Sequence, residues 1–580
     1  MNVARGHLPG REFAPGALVL AAAFLFVGLA GWGSLYNETD GQYGGAAKVM
    51  AAGGDWLIPE NNGVPRLVKP PLLPWLMAAS MSLFGINEFS ARLPGALAMA
   101  AWVGITYAIG ALWAGKRCGL LAGGILATML GSFTLARIVM PEPIFSALLS
   151  AGFLCFLKAS SRDGKWSRGW MALLWVCGGL AGFVKGPHGL LYLLFAAGLG
   201  MILFRLVSRG TTPSISTLFS WPGLLATLAI NAPWYFYIES QYPGYLHNLM
   251  FVEYLGHLSG SDAPATNYTE VPRLQFLLLH LAWFFPWSIA FLVVLPKAFR
   301  QCPPPRTWGL STWTILSWAA LVVIPLLLAG QRQDYYAMAM WPCFALIAAR
   351  TLNPFSASWS ARIVAVLLGC VGVAVVLASR ALQSTTATMA DRATAFSTVM
   401  QFGPEVWSGL VTIAFVSLGT GFAFCLMAKK QWLFLGLAGA SVGIGAAAGM
   451  ARVSPFFSLA SIADEITTVT GPSGLVVFDG DLDTASSLLF YTPLRIGLLR
   501  GNPKTDFVVR TTGIGRDSFL TIGGLRTRWL AGEPIALIVE KRDLTKWSEF
   551  LGSTLEPIAE CGTLVLLGNA ATAKATGRNP

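Results

Sequence analysis

The chain has 580 residues, of which 54% are hydrophobic and only 12% charged, with a formal net charge of +12. A soluble protein carries about a quarter of its residues as charges, so a large soluble fold is excluded. Apolar runs of about 18 residues or more recur instead, the signature of helices that cross a bilayer.

The first run, 14–35, is longer than the apolar core of a signal peptide, and no small-residue cleavage pattern follows it, so it reads as a retained helix. Further runs fall near 91–113, 118–137, 142–159, 169–184, 187–206, 216–236, 275–296, 310–330, 335–350, 361–380, 405–427 and 431–450. Together they make about thirteen spans. With the N-terminus inside, alternate turns collect Lys116/Arg117, Lys158/Arg162/Lys165/Arg168, Arg205/Arg209, Lys297/Arg300/Arg306, Arg350/Arg362 and Lys429/Lys430. This is the positive-inside bias, so the basic excess reports topology and needs no nucleic acid to explain it. An odd number of spans puts the region after Met450 outside, together with the 36–90 loop.

The expected fold is a polytopic all-α membrane domain over 1–450, then a small extracytoplasmic α/β domain at 454–570 and a disordered tail at 571–580. External segments 36–90, 237–274 and 381–404 are too long to be plain connectors, and 46–54 reads as a short helix on the membrane surface. In the C-terminal region helices are expected at 458–469 and 484–491, and β-structure at 474–479, 506–511, 534–540 and 563–567. Of the eight cysteines only Cys561 falls there, which excludes a disulfide framework in that domain.

Ionisable groups beside a bilayer are costly and therefore informative. The external face receives Glu38, Asp40, Tyr43, Arg66, Lys69 and Arg92 from the first loop and its flank, and Arg137 and Glu142 from Ala136-Arg-Ile-Val-Met-Pro-Glu-Pro. Lys185 and His188 come from Val184-Lys-Gly-Pro-His, Glu253 and His257 from the next long loop, and Arg332, Tyr335 and Tyr336 from Arg332-Gln-Asp-Tyr-Tyr. A lipid phosphate needs cations at the membrane surface, and Lys69, Lys185, Arg137, Arg332 and Arg66 are available. Displacement at a sugar's anomeric carbon releases a phosphate that is already charged, so one carboxylate base for the acceptor hydroxyl suffices. Asp40, Glu38 and Glu142 are the candidates, with Tyr43, Arg92, His188, Glu253, His257, Tyr335 and Tyr336 as pocket residues.

Plainer roles compete with each assignment. Glu142 opens a helix, where a carboxylate also suits the dipole. Lys69 before Pro70-Pro71 also fits a side chain reaching for the interface. Glu253 and His257 with Asn87 and Glu88 lack tight ligand spacing, so no metal is expected to be required, although a divalent ion is compatible with them.

The order of the acidic segment 37–40, Gly54-Asp-Trp-Leu-Ile-Pro, Lys69-Pro-Pro-Leu and Phe84-Gly-Ile-Asn-Glu-Phe-Ser-Ala-Arg-Leu resembles the 4-amino-4-deoxy-L-arabinose transferase family. That family is related to the dolichyl-phosphate-mannose protein mannosyltransferases. Val139-Met-Pro-Glu-Pro, Val184-Lys-Gly-Pro-His-Gly, Ala232-Pro-Trp-Tyr, Phe284-Phe-Pro-Trp-Ser and Tyr335-Tyr-Ala-Met-Ala-Met-Trp-Pro extend the resemblance over most of 14–450. It implies a GT-C glycosyltransferase of a bacterial inner membrane, working on the periplasmic side with a polyprenyl-phosphate sugar donor and a lipid, glycan or protein acceptor. It further implies that Lys69 and Lys185 meet the donor phosphate and that Glu142 is the second acidic position. Aligned on Tyr43, the family's Asp-Glu pair falls on Thr39-Asp40, and Gln42 replaces a common Arg. A single chain among membrane lipids is the expected working unit. The competing function is a transporter or flippase of lipid-linked glycans. That function would predict paired repeats and mid-membrane charges rather than charges gathered on one face.

Overall fold

A computed structural model describes residues 15–160, 166–256, 271–329, 332–385, 404–428, 431–471, 474–503, 506–552 and 555–569. His257, most of the 381–404 loop and the 571–580 tail lie outside the described residues. In chain order the first half runs α1 (Pro15–Leu29), α2 (Thr39–Ala51), a hairpin of β1 (Glu60–Asn61) and β2 (Val64–Pro65), α3 (Leu72–Phe84) and α4 (Glu88–Ala114). It continues with α5 (Lys116–Thr128), α6 (Leu130–Leu135), α7 (Glu142–Ser160), α8 (Arg168–Lys185), α9 (His188–Leu206) and α10 (Trp221–Gln241).

Among the described residues seven helices are long and apolar enough to cross a membrane singly, or eight if one bent pair counts as a span. Part of the difference from the expected count has local causes. The 118–137 run divides into α5 and α6 at Met129, whose backbone is extended. The 275–296 run divides into Arg273–Trp283 and Trp287–Arg300, bent by 97°. Pro286 sits at that break, where a proline has no N–H to give and disfavours helix at the residue before it. The 335–350 run begins as a tight turn of 3₁₀-helix, Asp334–Met340, before the α-helix Trp341–Leu352.

The helices pack through large aromatic side chains. Trp102 of α4 is fully buried, donates to Ser150 Oγ of α7 at 2.7 Å and stacks on Trp341 with ring centroids 6.3 Å apart. The start of α4 is fixed by a capping box, with Ser90 N donating to Asn87 Oδ1 at 2.9 Å and Asn87 N to Ser90 Oγ at 3.2 Å.

The C-terminal segment forms a five-stranded sheet of β3 (Leu475–Phe478), β4 (Ile496–Leu498), β5 (Ile535–Glu540), β6 (Ala559–Cys561) and β7 (Leu564–Gly568), in spatial order β4-β3-β5-β7-β6. β4, β3 and β5 are parallel, while β7 runs antiparallel to both β5 and β6. Alternation along β5 sends Ala536 and Ile538 to the face holding Ile462 and Ile466, and Ile535, Leu537 and Val539 to the face holding Trp529 and Trp547.

Three expectations need correction. The 506–511 run is the helix Phe507–Thr512, because Asp506 caps it by accepting from Val509 N at 3.0 Å and Val508 packs with Tyr245 and Trp234. The short helix of the first loop begins at Thr39 rather than near 46, so it contains Asp40. The same loop also holds α3, which the preceding Lys-Pro-Pro had disguised.

The C-terminal segment is docked on the first loop. Leu35 N donates to Tyr491 Oη at 2.7 Å, and that hydroxyl donates to Glu88 Oε1 at 2.9 Å. Ser487 N donates to Asn37 Oδ1 at 3.0 Å, and Asn62 exchanges two bonds with the Ile496 backbone at 2.7 and 2.8 Å. Gly41 makes the approach feasible, since a Cβ there would overlap the Ser486–Ser487 peptide.

Candidate active site

Two charge clusters meet where the first loop joins the ends of α7 and α8. In the first, Asp40 is buried at the start of α2. Its Oδ1 accepts from Val139 N at 2.7 Å, its Oδ2 accepts from Tyr36 N at 3.2 Å, and Arg92 Nη2 lies 3.6 Å away. Burial raises the Asp40 carboxyl above the ordinary carboxylate range, against the opposing pull of Arg92 and the two amides. Arg92 also donates to the carbonyls of Ala30, Trp32, Gly33 and Ser34, at 2.8 to 3.2 Å. It thereby satisfies the orphan carbonyls that follow α1. Arg137 is buried beside this pair and donates through Nη2 to Trp32 O, while its Nε and Nη1 have no hydrogen-bond partner.

The second cluster holds the lysines. Glu142, buried at the first position of α7, accepts from Lys185 Nζ at the end of α8, 2.7 Å away. Its other oxygen, Oε2, is buried without a hydrogen-bond partner. The Lys185 ammonium lies over the Tyr336 ring at 4.7 Å and the Phe145 ring at 5.7 Å. Gly186, at φ +124°, turns the chain sharply after Lys185, and Tyr254 Oη donates to Lys185 O at 3.1 Å. Lys69 lies over the Tyr254 ring at 5.2 Å. Burial lowers its ammonium to about 8; Glu253 and Glu142 oppose the fall, while Lys185 and Arg66 add to it. Arg66 stands 4.3 Å over the buried Tyr43 ring and donates to Gln42 Oε1 from Nε at 3.2 Å and Nη2 at 2.9 Å.

The remaining expected residues divide. His188 packs against Phe145, Tyr192 and Tyr254, with centroids 5.1 to 6.1 Å away. Tyr335 stands edge-on to Tyr336. Arg332 is buried and donates to the carbonyls of Leu326 and Val271 at 3.0 Å and to Ala329 O, which ties it to the corner before Asp334–Met340. Glu38 is exposed and faces the C-terminal segment, where desolvation, Asp483 and Asp481 raise its carboxyl. Among the described residues no three His, Cys, Asp or Glu side chains gather as metal ligands, and Glu88 is engaged with Tyr491.

Sequence reasoning passed over Tyr254 and Phe145, and met Gln42 only as a departure from the family pattern. Each directly follows or closely flanks a selected residue (Glu253, Glu142 and Tyr43), and aromatic neighbours of isolated lysines at helix ends are the signal that could have found the first two.

Residues 36–248, which hold both clusters apart from Glu253, Tyr254 and Tyr336, match the model of the dolichyl-phosphate-mannose-protein mannosyltransferase family. The undecaprenyl phosphate-alpha-4-amino-4-deoxy-L-arabinose arabinosyl transferase of Enterobacter sp. is 24% identical over 324 residues, covering 54% of this chain and 54% of that protein. The corresponding enzyme 1 of Pseudomonas fluorescens is 26% identical over 367 residues, covering 60% and 61%. The sequence likeness thus spans little more than half the length of these curated relatives. In three dimensions the crystal structure of ArnT from Cupriavidus metallidurans bound to undecaprenyl phosphate superposes with a TM-score of 0.76 at 18% identity, covering 98% of this chain and 100% of that one. Residues 36–248 therefore match the protein mannosyltransferase family, somewhat more than half of the chain resembles the arabinosyl transferases in sequence, and the chain as a whole shares the fold of the Cupriavidus ArnT structure.

Proposed function

We propose that this chain is an integral-membrane glycosyltransferase that moves a sugar from a polyprenyl-phosphate donor to a hydroxyl or phosphate of an extracytoplasmic acceptor. The observation that carries the reading is Glu142: one oxygen is paired with Lys185, the other is buried and unpartnered, and the charges of Lys69 and Arg66 lie nearby. A phosphate entering this cluster meets cations already held over aromatic faces. As the bond from the anomeric carbon to the phosphate oxygen breaks, the leaving phosphate gains a second negative charge. Lys69, Lys185 and Arg66 stabilise that charge as it develops. Glu142 Oε2 takes the proton of an acceptor hydroxyl as its oxygen bonds to the anomeric carbon. Asp40, with both oxygens engaged by amides, better suits a positioning role that locks α2 against the turn at Val139.

The finer topology belongs to the same proposal. Thirteen crossings with the N-terminus inside would put the site and the 454–570 α/β domain on the periplasmic side of a bacterial inner membrane. The arabinosyl transferase relatives, and the bound undecaprenyl phosphate of the Cupriavidus structure, support the donor class. A single chain among membrane lipids is the proposed working unit.

Purified protein incubated with a panel of undecaprenyl-phosphate sugars and a lipid extract tests the proposal. Donor consumption and labelled acceptor are expected with wild type, and both are lost in Lys69→Ala. If no donor is consumed while labelled lipid-linked sugar crosses liposomes carrying the protein, the chain is a flippase and the proposal falls.

A further inference from the structure

The cation that caps the proposed donor site is held through a chain of contacts that ends in the C-terminal segment. Arg66 directs Nε and Nη2 at a single acceptor, Gln42 Oε1. The other end of that amide, Gln42 Nε2, donates to Asp483 Oδ1, and Asp483 lies in the short helix Leu482–Ala485. The backbone leading to Arg66 is tied to the same segment, because the hairpin of β1 and β2 is clipped through Asn62 to Ile496 at the start of β4. Gln42 O also accepts from Asn61 Nδ2 at 2.9 Å, which joins the hairpin to α2.

A glutamine amide is nearly symmetric in shape, with an acceptor at one end and a donor at the other. Its orientation is set by its neighbours. A carboxylate accepts only, so Asp483 draws the NH₂ toward itself and turns the carbonyl to Arg66. Arg66, which only donates, favours the same orientation from the other end; without the carboxylate the NH₂ loses this acceptor, and the amide that receives the guanidinium is held at one end only.

Resting on the donor-phosphate reading above, we propose that Asp483 is a positioning residue of the transferase: by anchoring the far end of the Gln42 amide it holds the Arg66 guanidinium over Tyr43, so that the C-terminal segment tunes the affinity for the donor phosphate. Asp483 touches neither donor nor acceptor in this arrangement. It acts through Gln42 and Arg66 alone.

The test measures undecaprenyl phosphate binding to the full-length protein in detergent, and transfer kinetics in parallel. Asp483→Ala is expected to weaken binding about five- to tenfold, the scale of one ordinary hydrogen bond, because the contact reaches the phosphate only through Gln42 and Arg66. The donor KM rises and kcat falls, because Arg66 also meets the charge that develops on the leaving phosphate, while the acceptor KM holds. Asp483→Asn, which keeps an acceptor oxygen, restores binding to within about twofold, since the Gln42 NH₂ regains its partner. Gln42→Ala weakens binding alike, and adding Asp483→Ala to it changes nothing more, because the two act in series. Should Asp483→Ala not fold, Gln42→Ala and Asp483→Asn carry the same prediction. If Lys69→Ala weakens binding but Asp483→Ala and Gln42→Ala do not, or if their effects add, the relay is wrong while the donor site stands. If Lys69→Ala also leaves binding unchanged, the donor-site reading fails and the relay falls with it.

Discussion

Replacing Glu142 by Gln separates the chemistry of the site from its construction. In the proposed site the two oxygens of this carboxylate take different roles: Oε1 holds Lys185 at 2.7 Å, and Oε2, buried and without a hydrogen-bond partner among the described residues, is the proposed base. A glutamine keeps the volume and, with its carbonyl toward Lys185, keeps the contact. The Lys185 bond loses its charge assistance, which costs about 1 kcal/mol, less than a tenfold effect. What the variant cannot do is take a proton. Loss of a general base removes about a hundred- to ten-thousandfold from kcat, or about 3 to 5 kcal/mol of barrier lowering. The two contributions differ enough to be told apart. The assay is turnover of a labelled undecaprenyl-phosphate sugar with a hydroxyl acceptor, and thermal unfolding checks that the variant is intact. The expected result is a kcat lowered at least a hundredfold, with donor KM and unfolding temperature close to wild type. An acceptor that reacts through an ionised phosphate needs no base and should lose far less. If Glu142→Gln keeps more than a tenth of wild-type kcat on a hydroxyl acceptor, Glu142 is not the base.

Asp40→Asn should act mainly on stability: it removes the buried partner of Arg92 and sets an NH₂ against either the Tyr36 or the Val139 amide, a loss of about 3 kcal/mol or more. Denaturation in detergent should show a clear drop, and a kcat loss at unchanged stability would return the base to Asp40. Gly41→Ala should loosen the docking of the C-terminal segment by about 1 to 3 kcal/mol, because the new methyl overlaps the Ser486–Ser487 peptide; limited proteolysis between 454 and 460 should accelerate, and unchanged digestion would contradict the contact. On the proposed reading the protonated Lys69 amine binds phosphate, so affinity for undecaprenyl phosphate should be full between about pH 6, where the phosphate loses its second proton, and about 8, and should fall as pH rises through the latter. The fall approaches tenfold per unit above that point. Lys69→Arg should remove that decline, and an affinity flat to pH 10 in wild type would refute the assignment.

The membrane helices were legible because an apolar run has few alternatives in a chain this poor in charge. Their interruptions were less so. Pro286 breaks the 275–296 run, yet Pro94 lies within the continuous helix α4, and Pro233 within α10. A proline signals a weak point, and packing decides whether the helix bends there. The same limit applies to Phe507–Thr512: Val508 and Val509 favour a strand by propensity, and the cap from Asp506 with the burial of Val508 against Tyr245 overrides it.

Charge was legible by class and position but not by partner. Lys69, Lys185, Arg66 and Glu142 could be assigned to one membrane face from their places at helix ends, and the structure does bring them into one electrostatic cluster. Arg92 and Arg332 carry the same signal in sequence, yet their guanidinium groups are turned to backbone carbonyls. An arginine at a helix end can neutralise a ligand's phosphate or the helix's own orphan carbonyls, and its sequence neighbours are the same in both cases. The choice depends on what the fold places within reach. For Arg66 that was Gln42, and behind it an aspartate 441 residues further along the chain than Gln42. Contacts of that separation are where a single sequence stops being informative. The glycines of α2 hinted at one: Gly41, Gly44 and Gly45 weaken a helix, which is tolerable only if a neighbouring backbone or side chain occupies the space that their side chains would fill.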